Sequence, residues 1–149
     1  TLWLAGSGPE EASLKALCRQ LGLEQRVRFL GWRNDVTTLM ASVDLFVCPS
    51  RHEGLGSIVM ESWAHGCPIV ATASQGPGEA ITDGVSGLLT PIDDADALAR
   101  AIQRVLDSEE LRQSLIAGGE RVYREGYCRD HIVAEYLRLY QQIANQRAA

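Results

Sequence analysis

Residues 50–72 read S-R-H-E-G-L-G-S-I-V-M-E-S-W-A-H-G-C-P-I-V-A-T, and the fold follows from how this stretch is punctuated. Just ahead of it, Leu45-Phe46-Val47-Cys48 is an unbroken apolar run, the pattern of a parallel strand covered on both faces. Gly54-Leu55-Gly56 then turns the chain into an amphipathic helix, expected from Ser57 to about His65. Gly66 as a left-handed cap and Pro68 as a residue that cannot continue a helix end it. Ile69-Val70-Ala71 returns as a second short strand. In a strand–turn–helix–strand unit the helix N-terminus points out beyond the carboxyl ends of the strands. Its free N–H groups there bind anions.

The same alternation runs through the rest of the chain. Thr1-Leu2-Trp3-Leu4-Ala5 is expected as a buried strand, and Gly6-Ser7-Gly8-Pro9 turns it into a helix from about Glu10 to Leu21. Glu10 and Glu11 would sit at that helix's positive end. The glycine pair is not a dinucleotide fingerprint, because G-x-G-x-x-G needs glycine where Glu11 stands. Arg26 to Leu30 is the next strand, ended by Gly31. Asp35 is placed to cap a helix from Val36 to Ser42, with Leu39 and Met40 turned inward. After the central unit, Ser74 to Asp83 is a glycine-rich turn opening a short helix, and Gly87-Leu88-Leu89-Thr90 is the last strand. Beyond Pro91 the pattern becomes helical, over Asp94–Asp107, Glu109–Gly126 and Arg129–Gln146. Strands alternating with helices predict an α/β fold: a Rossmann-like parallel sheet with helices on both faces and helical segments at the C-terminus. No repeat or linker divides the 149 residues, which are expected to form a single domain.

Composition removes several classes of function. Apolar residues at 46% and charged residues at 22% are globular proportions, which sets a disordered chain aside. No window approaches the run of about eighteen apolar residues that spans a bilayer, and no charged-then-apolar leader opens the sequence. A net charge of −5 offers nothing to attract nucleic acid. Cys18, Cys48, Cys67 and Cys128 form no C-x-x-C pair, so a reduced, cytoplasmic protein without metal is expected.

Two carboxylates mark the central unit: Glu53 just before the glycine turn, and Glu61 after seven intervening residues. Glu53 lies where a strand has ended and can reach a cleft, while Glu61 falls one turn after Ser57 on one helical stripe. A carboxylate accepts two hydroxyl donors at once, which suits the vicinal diols of a ribose or hexose. The N–H groups at Gly54, Leu55 and Gly56 would lie between the two, where glycine lets backbone approach a ligand. A ligand with hydroxyls and negative charge, such as a nucleotide sugar, fits this pattern.

E-G-L-G-S-I-V-M-E followed by A-x-G-C-P-I-V-A-T resembles the donor-site signature of retaining glycosyltransferases of the GT-B fold, in particular family 4 (group 1). The resemblance extends to Leu4-Ala5-Gly6-Ser7-Gly8-Pro9, Val27-Arg28-Phe29-Leu30-Gly31, Ala41 through Ser50, and Gly76-Pro77-Gly78-Glu79 through Leu89. It implies that Glu53 is the catalytic residue, bonding the transferred sugar and steadying charge at its anomeric carbon. It assigns donor binding to Gly54, Leu55, Gly56, Ser57, Ile58 and Glu61, with Glu61 on the ribose, and to Trp32 and Arg33 beside the base. The bland alternatives stand next to these: Glu61 as a surface carboxylate, Gly54–Gly56 as a plain turn, Ser57 as a helix cap, and Trp32 as a brace under the next helix. The family often has an aromatic where Leu55 stands. Glu79 caps or braces its loop, and neither His52 nor His65 receives a role.

The resemblance covers only the C-terminal, donor-binding half of such an enzyme, beginning after that half's first strand and helix. The segment that supplies basic residues for the donor diphosphate and the acceptor-binding N-terminal domain are then outside this chain. Weak nucleotide binding without turnover is therefore expected of it alone. The implied partners are a nucleoside diphosphate sugar and a glycan or lipid-linked acceptor, with no cofactor and no metal. A cytoplasmic location follows, peripheral to the inner face of a membrane where the acceptor is lipid-linked. A nucleotide-sugar epimerase and a non-catalytic nucleotide-binding module are the other classes. A phosphorylase would need a lysine for pyridoxal phosphate, and the only lysine, Lys15, lies far from the central unit in sequence.

Overall fold

The computed structural model describes residues 1–148, with side chains through Gln146. The chain gathers into two compact units, Thr1–Val36 and the residues from Thr37 onward. All strand pairing is parallel, as the alternation predicts.

In the first unit, β1 (Leu2–Ala5) pairs with β2 (Val27–Gly31), and α1 (Glu11–Gln20) connects them. The register runs Leu2 to Val27 through Leu4 to Phe29, then slips so that Ala5 meets Gly31. The expectation of a buried first strand fails: Leu2 is 50% exposed and Trp3 37%. Leu14, Leu17 and Leu21 around α1 are exposed as well. A two-stranded sheet with one connecting helix has too few layers to enclose its apolar residues. The proposed Asp35 cap fails too, because the Asp35 carboxylate is engaged by Arg33, at 2.8 Å from Nε and 2.5 Å from an Nη. The short helix that follows, α2 (Val36–Met40), has Met40 buried and Leu39 half-buried.

The second unit is built on β3 (Phe46–Cys48), β4 (Ile69–Thr72) and β5 (Leu88–Thr90), with β4 central. Every residue of β4 is buried. Their alternation divides the core in two, as the period of two in a strand requires. Ile69 and Ala71 pack with Cys48, Val59, Trp63 and Ile81 on the face covered by α3 (Ser57–Ala64) and α4 (Gln75–Ala80). Val70 packs on the other face with Leu88, Ala101, Val105 and Leu115, covered by α5 (Ala95–Asp107) and α6 (Glu109–Val122). Each fully buried Val or Ile contributes about 1.5–3 kcal/mol relative to exposure. Losing this two-faced burial would cost the sheet its order.

Local signals set the helix ends. Asp94 caps α5 by accepting from the Ala97 N–H at 2.8 Å, and Ser108 caps α6 by accepting from Leu111 at 3.1 Å. Gly66, at φ +61°, closes α3 as anticipated. The helix expected over 109–126 is interrupted: α6 passes at Tyr123–Tyr127 into a π-helical turn, and α7 (Arg129–Ala148) follows. Two glycines let α6 approach the rest of the unit. A Cβ on Gly118 would run into the Val85 backbone, and one on Gly119 into the Trp63 indole. Trp63 is only 2% exposed, and its Nε1–H donates to the Ser86 carbonyl at 2.7 Å.

Candidate functional site

The Pro49–Gly56 loop joins the end of β3 to the start of α3, and its main chain is held from three directions. The Thr72 hydroxyl, at the end of β4, donates to the Ser50 carbonyl at 2.5 Å. The Gly76 N–H, in α4, donates to the Glu53 carbonyl at 2.6 Å. The Gly56 N–H donates to Glu53 Oε1 at 3.2 Å, so the half-buried carboxylate folds back over the start of α3. Gly56 enters the helix in the left-handed conformation, φ +69°, which costs glycine nothing. Its backbone and that of Gly76 touch: a Cβ added to Gly76 would stand 2.8 Å from the Gly56 Cα and the Leu55 carbonyl carbon. Two glycines bring the turn and α4 into main-chain contact.

Among the described residues, the N–H groups of Gly54, Leu55, Ser57 and Ile58 have no protein hydrogen-bond partner. They gather at the N-terminus of α3, where the aligned peptide dipoles are positive. Gly56, expected among the donors, gives its N–H to Glu53 instead. Glu53 and Gly54 line a cleft of about 280 Å³ together with Arg51, His52, Ser74 and Ile92. Leu55 and Ser57 line a larger one of about 560 Å³ with Met60, Glu79 and Tyr127. Leu55 stands 81% exposed at the apex of the turn. The Ile58 side chain packs on the core, leaving only its N–H for a ligand. Glu61 is solvent-exposed one turn beyond Ser57 and lines neither cleft.

Trp32 and Arg33 belong to the first unit. Trp32 is 78% exposed, with its Nε1–H on Asn34 Oδ1 at 3.0 Å, so the ring faces are open. Arg33 is held by Asp35, and that hydrogen-bonded pairing raises the guanidinium's pKa and lowers the carboxyl's. Lys15 is engaged by Glu11 at 2.5 Å and lies over the Phe29 ring. The Glu79 side chain has no hydrogen-bond partner among the described residues, so it does not brace its loop through a hydrogen bond. His65 ends α3, and His52 lines the smaller cleft.

Other lining residues escaped the sequence pattern. Tyr127 comes from the π-helical turn, far along the chain, and sits 6.0 Å from Trp63 between ring centroids. Ser74 carried a usable signal, a serine at a helix start whose third helical residue is Pro77. Arg51 is paired with Asp93 at 2.5 Å, and Asp93 holds φ +62°. No cluster of three or more His, Cys, Asp or Glu among the described residues is arranged for a metal ion. All four cysteines are free, and burial pushes the Cys67 thiol up to about 11. No helix among the described residues is long and apolar enough to cross a membrane.

Residues 1–122 match the family described as Glycosyl transferases group 1. Over 138 residues the chain is 42% identical to the lipopolysaccharide core biosynthesis glycosyltransferase LpsE of Rhizobium meliloti, covering 93% of this chain and 41% of LpsE. Among solved structures, Anabaena Alr3699/HepE in complex with UDP superposes with a TM-score of 0.80 at 28% identity, over 99% of this chain and 40% of that one. The same Anabaena protein has also been solved with UDP-glucose. The C-terminal domain of a group 1 family protein, LpcC of Francisella tularensis, shares the fold at 24% identity, with a TM-score of 0.73 over 78% of this chain and 62% of that one. The chain thus spans about two fifths of the length of LpsE and HepE.

Proposed function

This chain belongs to the group 1 glycosyl transferases and has the fold of the C-terminal half of GT-B enzymes, and on that premise we propose that it is the donor-binding part of a longer retaining glycosyltransferase. The parent protein transfers a sugar from a nucleoside diphosphate sugar to a glycan or lipid-linked acceptor bound outside this chain. The lipopolysaccharide-core role of the R. meliloti relative supports that acceptor class. The Anabaena complexes with UDP and UDP-glucose make a uridine donor the first to test.

The observation that carries the proposal is the start of α3, where four unpaired N–H groups lie between Glu53 and Glu61 in the sequence. A diphosphate gains hydrogen bonds and a favourable dipole there. Glu61 takes the ribose diol. Glu53, oriented through its bond from Gly56, hydrogen-bonds the transferred sugar and stabilises positive charge growing at the anomeric carbon. The leaving phosphate accepts the acceptor's proton on the same face as the new bond, which retains configuration. Trp32 offers an open ring face for the base, with Arg33 beside it. The two-carboxylate scheme of glycoside hydrolases does not apply, since that needs both groups flanking one bond. Alone, this chain binds nucleotide weakly and does not turn over.

An amide-resolved NMR titration with UDP, GDP and ADP tests this. Shifts centred on residues 54–61 and on Trp32, given by one nucleotide and lost in Glu61→Ala, are the expected result. Silence at millimolar concentrations of all three, or shifts confined elsewhere, refutes it.

A further inference from the structure

Ser74 is 2% exposed, and its Oγ has no hydrogen-bond partner in the protein. Buried hydroxyls in native proteins are almost always paired, so an orphan calls for an explanation. Here the cause lies in the sequence. Ser74 occupies the N-cap of α4, where a serine ordinarily accepts from the N–H two or three residues on. The residue two on is Gly76, whose N–H is already given to the Glu53 carbonyl at 2.6 Å. The residue three on is Pro77, which has no N–H. Both capping donors are gone, the Oγ itself is buried, and Ser74 is among the residues that line the 280 Å³ cleft with Glu53 and Gly54. That cleft sits at the lower end of small-molecule sites, which run from about 300 to 1,000 Å³. It has room for one sugar ring rather than a whole nucleotide.

We propose that Ser74 is a specificity-determining residue for the transferred sugar, its buried hydroxyl pairing with one ring hydroxyl of a hexose held in the cleft beside Glu53. This rests on the donor-binding function proposed above and deepens it. A neutral hydroxyl both donates and accepts, which complements the acceptor-only carboxylate of Glu53. A site built to pair a substrate hydroxyl discriminates against a sugar that lacks it, because the protein group is then left unpaired.

Isothermal titration of the 149-residue chain with UDP and UDP-glucose, and with GDP and GDP-mannose as a second pair, tests the assignment. The wild type should bind the sugar nucleotide more tightly than the bare diphosphate. Ser74→Ala should weaken the sugar nucleotide roughly 3–10-fold while leaving the diphosphate unchanged. Its melting temperature should not fall, since no protein hydrogen bond is lost. Ser74→Thr, which keeps the hydroxyl, should retain the preference. As a measurement that needs no mutant, wild-type protein is titrated with monodeoxy analogues of the hexose. One position should lose the same factor, and Ser74→Ala should be indifferent to that deletion. Equal affinities in Ser74→Ala and wild type, or a wild type that tolerates every deoxy analogue, overturn the assignment and leave nucleotide binding intact. A lower melting temperature with no sugar-dependent change assigns Ser74 to structure and also overturns it. Failure of the wild type to bind any of the four ligands overturns it together with the donor-binding function.

Discussion

Gly76→Ala should disable the site loop, whereas Gly78→Ala, two residues further along the same helix, should not. A Cβ at position 76 meets main-chain atoms, the Gly56 Cα and the Leu55 carbonyl carbon, both at 2.8 Å. Backbone cannot rotate away as a side-chain tip can, so α4 and the Gly54–Gly56 turn must separate. Overpacking costs about 1–3 kcal/mol where side chains can adjust, and a main-chain neighbour puts this case at the upper end. The separation also strains the bond from the Gly76 N–H to the Glu53 carbonyl. At position 78 the nearest atoms are those of Ala73 at 3.7 Å, an ordinary contact, and exchanging helical glycine for alanine gains up to about 1 kcal/mol. The two variants should therefore differ by about 2–4 kcal/mol, which at about 2–4 °C per kcal/mol for a chain of this size is readily measured. Thermal unfolding followed by circular dichroism gives the stability, and a nucleotide titration on the same samples gives the site. Equal melting temperatures for the two variants, or full nucleotide binding by Gly76→Ala, would refute the main-chain contact as the support of the loop.

Gly119→Ala should invert the usual sign of a glycine-to-alanine exchange in a helix. The gain of about 1 kcal/mol in propensity is opposed by about 1–3 kcal/mol of overpacking, because the new Cβ lies 2.7 Å from Nε1 and 3.0 Å from Cγ of the buried Trp63. Denaturant midpoints of wild type and variant decide it, with a stabilised variant as the contrary result. Asp94→Ala removes the cap on α5 and should cost about 1 kcal/mol in the same assay; no change would mean that the Ala97 N–H finds another partner. Cys67 gives a pH signature: burial pushes its thiol up to about 11, while an unfolded thiol ionises near ~8.5. The folded chain then holds the extra proton between those values, so stability falls as pH rises through that window. Cys67→Ala should flatten that decline in a melting series from pH 8 to 11, and an unchanged slope counts against it.

The parts of the fold legible in the sequence are those whose signals are local. Gly66 and Pro68 stop α3 because one supplies a left-handed cap and the other cannot donate, whatever surrounds them. Ile69-Val70-Ala71 announces a strand buried on both faces because no polar residue interrupts it, and β4 is buried throughout. What was not legible depends on competition between partners. Asp35 is a sound cap in isolation, yet Arg33, two residues before it, takes its carboxylate. Leu2 and Trp3 carry a strand's pattern, but pattern does not supply the layer that would bury them. The helix expected to run to Gly126 changes to π-helical winding at Tyr123, and its periodicity gives no warning of that. At the site, Glu53 and the glycine turn could be singled out by residue type. Their attachment to Gly76, twenty residues later, is a matter of two missing side chains and leaves no chemical mark of its own.

That attachment divides the labour within the candidate site. Two hydrogen bonds to its main-chain carbonyls hold the Pro49–Gly56 loop from outside it, from the Thr72 hydroxyl to Ser50 and from the Gly76 N–H to Glu53, and both donors lie in the β4–α4 segment. The same segment contributes Ser74 to the smaller cleft. Glu61 sits on α3 and lines neither cleft, so its orientation is set by the helix rather than by the loop. On the proposed function, changes in β4–α4 therefore act at the sugar end of the donor and changes along α3 at the ribose end. Sugar preference and nucleotide affinity should consequently respond to separate substitutions. Gly76 is the exception, because it fixes Glu53 and meets the start of α3 at once, and a change there must disturb both ends together.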